Sequence, residues 1–162
     1  MWTKSIKMVN RITEVFCATL LFAMVAIIFL QIISRLVLQS SFPWTEEVAR
    51  FMMIWITFLG TAFAFQYGAH IGVEVFVAKF PKILRSFVQI LVGIICFSFF
   101  LLLIVKGYEL AAGSLVQTSP ALNIPMGYVY AVIPVSGVLM ALNLIDVTIK
   151  SMFQKNGKLK EI

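Results

Sequence analysis

The chain has 162 residues, 61% of them hydrophobic and 12% charged, and its 13 basic and 7 acidic residues give a formal net charge of +6 with a mean hydropathy of +1.00. This composition is that of a membrane protein: a single membrane domain, residues 1–162, has room for four spans and short connections and excludes an additional soluble domain. No basic groove or aromatic platform accompanies the positive charge, which argues against nucleic acid as a partner and for the lipid bilayer.

Four stretches of about twenty residues carry no charge: Val15 to Ser34, Phe51 to Ala69, Ser86 to Val105, and Pro125 to Ile145. Lipid leaves unpaired backbone groups unsatisfied, so runs of this kind are helices; a barrel would need short alternating strands, which the pattern lacks. The predicted fold is an all-α integral membrane protein with four transmembrane helices, at approximately 15–37, 46–69, 83–106 and 126–147. The first span follows Lys4, Lys7 and Arg11 as a signal peptide would. Its apolar region is too long and Arg35 to Gln39 offers no small-residue cleavage site, so it reads as a retained anchor. Ten basic residues fall in the N-terminal tail, the second connection and the C-terminal tail, against Arg35, Arg50 and Lys106 on the other face. Both termini are therefore expected in the cytoplasm.

The first connection reads Ser41-Phe42-Pro43-Trp44-Thr45-Glu46-Glu47-Val48-Ala49-Arg50. Thr45 is the expected N-cap of the second span, with Glu46 and Glu47 in the first turn, where free N–H groups favour negative charge. Arg50 stands four residues after Glu46, the better order for a helical ion pair, and Trp44 suits the water interface. A capped helix entry accounts for all of this. The functional alternative is a polar cluster of Arg35, Glu46, Glu47 and Arg50 that docks another subunit. Paired carboxylates also serve general acid/base catalysis, but no further titratable partners accompany them.

Along the second span Gly60, Ala64, Gly68 and Gly72 recur every four residues, a small-residue face expected to pack inside the bundle. His70 and Glu74 share a face if the helix continues, and a capping or interfacial role for His70 is preferred over a metal pair or a pH switch. Val73, Phe76 and Phe80 suggest a short amphipathic interfacial helix between the second and third spans, ended by Pro81, the alternative being that the second span simply extends past the membrane. The third span is expected to run past Lys106 toward Gly113. Gln117 to Pro125, with two prolines, is expected to be a loop. Pro134 should kink the last span, which Asp146 and Lys150 close. Cys17 and Cys96 lie inside spans without a Cys or His at ligand spacing, so they read as small hydrophobes; no catalytic, cofactor or metal residue is assigned to this chain.

Taken together, Trp44-Thr45-Glu46-Glu47-x-x-Arg50, Gly60 and His70-Ile71-x-Val73-Glu74 resemble the DctQ-like small membrane subunit of tripartite ATP-independent periplasmic (TRAP) transporters. So do Ser119-Pro120-Ala121-Leu122-x-Ile124-Pro125, Tyr128-x-Tyr130-Ala131-x-Ile133-Pro134 and Met140-Ala141-Leu142. The resemblance covers residues 30 to 145; Glu74 departs from the Asp of many relatives and keeps its charge. It implies a scaffold subunit of a bacterial inner-membrane importer of organic acids, of C4-dicarboxylate or sialic acid type, driven by a sodium gradient. It also implies a large multi-spanning subunit that holds the sodium and a periplasmic substrate-binding protein as partners. Two other classes stand beside it. A self-sufficient homo-oligomeric transporter or channel would need a polar path lined by Thr19, Thr57, Thr61, Gln66, Gln89, Ser98 and Asn143, and a membrane enzyme would need a nucleophile that the chain does not offer.

Overall fold

A backbone inside hydrocarbon must satisfy its own hydrogen bonds, and the described residues of each uncharged run are accordingly helical, with a break at Ala131 in the last. The structure, a computed structural model, describes residues 2–37, 42–67 and 82–157. Helix α1 spans Trp2–Val37, α2 Pro43–Ala64 and α3 Lys82–Gly113; the fourth span is divided into α4, Met126–Tyr130, and α5, Val132–Gly157. One-turn 3₁₀ segments follow α2 (Phe65–Tyr67) and α3 (Ser114–Val116). With no Gly or Pro between Trp2 and Phe42 to interrupt it, α1 takes in the charged N-terminal segment as well as the apolar run. The expected interfacial helix around 73–80, together with Gly68, His70, Gly72 and Glu74, lies outside the described residues.

The helices stand side by side in the order α1, α2, α5, α3, with α4 against α3. The fourth span is the centre of this row: 39% of its most apolar window is buried inside the chain, against 6–11% for the other three. Two apolar clusters hold it there. Ala62, Phe100, Met140 and Leu144 form one, with Phe65 set edge-on to Phe100 at a ring distance of 5.1 Å. Cys17, Leu59 and Val132 form the other, flanked by Trp55. Both cysteines are free thiols, and Cys96 packs against the first cluster. Because α5 separates α2 from α3, a groove of about 560 Å³ stays open between them, lined by Thr57, Thr61 and Phe65 on one side and Ile95, Phe99 and Leu103 on the other.

Among the described residues the close helix approaches are made by glycines of the last two spans, not by Gly60. A Cβ on Gly107 would lie 2.7 Å from Ile133 Cγ2 and 3.0 Å from the Pro134 ring; one on Gly127 would lie 2.5 Å from the Ala111 carbonyl oxygen. Gly137 meets Ile104 in the same way. A Cβ on Gly60 would meet nothing within 4 Å, and Ala64 is exposed. The face of α2 that packs within the chain is that of Leu59 and Ala62, so the expected small-residue face looks outward at Gly60 and Ala64. Pro134 has no N–H for the Tyr130 carbonyl, and the helix is interrupted at Ala131, where the Ala131 N–H still reaches Gly127 O at 2.9 Å.

Candidate functional site

The first turns of α2 stand at the end of the row that carries the 114–126 connection, hereafter the loop end. The helix begins at Pro43, whose fixed φ and missing N–H suit the first helical position. Thr45 is therefore not the N-cap. Phe42 occupies that position without a side-chain cap, and the fully buried Thr45 donates its hydroxyl back to the Phe42 carbonyl at 2.7 Å. Trp44 is 41% exposed, its ring 6.4 Å from that of Phe42.

The two neighbouring glutamates part company. Glu46 Oε1 accepts from Arg50 at 3.2 Å, in an ion pair whose side chains are 61% and 63% exposed. Such a pair is screened by water and contributes well under about 1 kcal/mol. Glu47, half-buried, turns toward the connection between the last two spans, and its Oε2 accepts the backbone N–H groups of Ala121 at 3.1 Å and Leu122 at 2.9 Å. That connection is a closed turn. The Met126 N–H donates to Gln117 O at 2.8 Å, the Ser119 N–H to Ile124 O at 2.9 Å, and the Asn123 N–H to Ser119 O at 3.0 Å. The buried Ser119 hydroxyl accepts from the Ile124 N–H at 3.3 Å. Asn123 sits at φ 55°, the left-handed region that asparagine tolerates better than most residues. Arg35 is exposed in the last turn of α1, beside a shallow hollow with Gln31, Ile32 and Leu36. Among the described residues no ion pair joins it to Glu46 or Glu47, and of the expected cluster only Glu46 and Arg50 pair with each other.

At the opposite end, where α1 begins and α5 ends, three amides from three helices meet. Asn10 donates to Gln66 Oε1 at 2.8 Å and to Asn143 Oδ1 at 2.6 Å, and Asn143 returns a bond to Asn10 Oδ1 at 3.0 Å and another to the Ala62 carbonyl at 2.7 Å. Sequence spacing gives no reason to join positions 133 residues apart; the available signal is one amide near the same end of each of three spans. Asp146 is also fully buried and α5 continues to Gly157, so Asp146 does not close the helix as expected. Thr19, Thr57 and Thr61 donate to carbonyls of their own helices, at 2.9, 2.8 and 2.8 Å. Among the described residues no three His, Cys, Asp or Glu side chains could share a metal.

Residues 24–154 match the family model described as tripartite ATP-independent periplasmic transporters, DctQ component. The chain belongs to this DctQ family. A TRAP transporter small permease protein of Haemophilus influenzae is 29% identical over 153 residues, 90% of each chain. The sialic acid TRAP transporter small permease protein SiaQ of Vibrio cholerae is 28% identical, covering 83% of this chain and 78% of its own. The sialic acid TRAP transporter permease protein SiaT of Haemophilus influenzae is 26% identical over 140 residues, which make up 86% of this chain but only 23% of that longer one. This DctQ-family chain is thus a multi-pass membrane protein and a transporter subunit, not an enzyme.

Proposed function

We propose that the chain is the scaffold subunit of a sodium-gradient-driven TRAP importer of organic acids in a bacterial inner membrane. It pairs with a large multi-spanning subunit that holds the sodium and moves the substrate. Its loop end, on the periplasmic side, helps receive the substrate-binding protein, and both termini are cytoplasmic. The observation that carries this reading is the row itself. Four spans set side by side around the last one have outward faces for lipid or a partner, and Thr57, Thr61, Asn10, Gln66 and Asn143 are bonded to their own helices or to one another. Ion-coupled carriers place ionisable or unwound groups along a path at the midplane. The match to one quarter of a longer permease supports the pairing, because a segment like this chain there shares a polypeptide with further permease sequence.

The test is a mild-detergent pull-down of the tagged chain from its native membrane. A stoichiometric large multi-spanning protein is the expected result; a clean homo-oligomer would overturn the reading. Charge reversal of Glu46 and Glu47 should weaken uptake or assembly.

A further inference from the structure

We infer that Glu47 is a positioning residue, acting on the incoming substrate-binding protein through the 117–125 turn that its carboxylate holds in shape, whereas Glu46 and Arg50 meet that protein directly. The inference rests on the reading of the loop end as the docking surface.

It follows from an accounting of backbone donors. Within the turn the N–H groups of Ser119, Asn123, Ile124 and Met126 are satisfied by acceptors of the turn itself, and Pro120 has none. The N–H groups of Ala121 and Leu122, at its apex, find their acceptor 74 and 75 residues earlier in the sequence, in the single oxygen Glu47 Oε2. Two successive N–H groups converge on one oxygen, so what the turn requires of this side chain is an acceptor placed at that point. The same contact joins the N-terminus of α2 to the connection between α3 and the fourth span, so one side chain fixes the height of the turn relative to Trp44 and Arg50. Glu46, one residue away, has a side chain 61% exposed whose Oε1 accepts from Arg50 at 3.2 Å. Adjacent acids with equal charge therefore do different work: one is spent inside the molecule and the other is offered outside.

Reach and charge can be separated by substitution. Glu47→Gln keeps an acceptor oxygen at the same distance along the side chain and removes the charge. Glu47→Asp keeps the charge and withdraws it by one methylene. If the turn holds its shape in about one tenth of the Asp molecules, the apparent affinity for a partner that needs that shape falls about tenfold.

The experiment uses the whole transporter, this chain with its large subunit in proteoliposomes under a sodium gradient. Purified binding protein is titrated, and radiolabelled succinate and N-acetylneuraminate serve as the transported probes. Amide hydrogen exchange at Ala121 and Leu122 is read on the same complexes. Expected for E47D is faster exchange at both amides and a roughly tenfold higher half-saturating concentration of binding protein, with the maximal rate unchanged. E47Q should stay within about twofold of wild type on both readouts. E46Q should raise the half-saturating concentration without changing exchange at either amide. Three results would overturn the inference. E47Q as damaging as E47D, with both amides still protected, would make charge and not position the requirement. Unchanged exchange in E47D would remove the anchoring itself. Lost protection with no change in half-saturation would leave the anchoring intact and refute the docking reading on which the inference rests.

Discussion

Replacing Asn143 by leucine tests whether the amide cluster is a structural tie or part of a polar path. Asn143 is 1% exposed and takes part in three hydrogen bonds, two with Asn10 and one to the Ala62 carbonyl. Interhelical hydrogen bonds in membrane proteins average about 0.6 kcal/mol and reach about 1.7, so the loss should be about 2 kcal/mol. Leucine is nearly isosteric, which keeps cavity formation out of the number. Asn10→Leu removes the same two reciprocal bonds and one to Gln66, so the double variant should be less damaged than the two single losses combined, with a coupling of about 1 kcal/mol. The assay is reversible unfolding of the purified chain in mixed micelles titrated with sodium dodecyl sulfate. Tryptophan emission is a suitable readout, because Trp55 packs against the cluster of Cys17, Leu59 and Val132. Stability within about 0.3 kcal/mol of wild type, or strict additivity, would refute the reasoning. A variant with normal stability whose assembled complex has lost uptake would point instead to a path through Asn143.

Gly127→Val should destabilise the chain by about 1–3 kcal/mol in the same titration, because its Cβ is directed at the Ala111 carbonyl and the Leu115 side chain. Gly60→Ala should be neutral or stabilising by up to about 1 kcal/mol, since nothing stands in its way and alanine is the better helix former; equal losses for the two would contradict the packing described. Arg50→Ala should shift the stability of the chain by less than about 0.5 kcal/mol, as its partner is exposed. A cysteine at Val116, which is 89% exposed, should react with a membrane-impermeant maleimide added to intact spheroplasts in a Cys17→Ala/Cys96→Ala background. Labelling only after lysis would reverse the proposed orientation.

The local features were legible because spacing along the chain determines them. The uncharged runs gave the spans, two prolines gave the 117–125 loop, and a four-residue interval gave the Glu46–Arg50 pair. The small-residue interval in α2 shows what sequence periodicity leaves open. It tells which residues share a face but not what the face meets, and in a membrane protein lipid and a neighbouring helix are equally apolar, so hydropathy does not separate them. Gly107, Gly127 and Gly137 make the close approaches at no regular interval, where Ile133, Pro134, Ala111 and Ile104 happen to oppose them. Thr45 was displaced as N-cap because Pro43 starts the helix three residues sooner, which makes Phe42 the N-cap. The Glu47 contact and the Asn10–Asn143 pair join positions far apart in sequence, and only the order of the helices in the row brings them together.

That row also sets a vertical scale. Along α1 the Asn10 tie and Arg35 are separated by about 38 Å of helix, slightly more than the roughly 30 Å of hydrocarbon in a typical bilayer. The amide cluster therefore falls within one headgroup layer when Arg35 and the Glu46–Arg50 pair occupy the other, because the bilayer with its headgroups is about 40–45 Å thick. Polar latitudes a fixed distance apart make the subunit a gauge of membrane thickness: in thicker or thinner lipid it must lean differently, and whatever is bolted to its side leans with it.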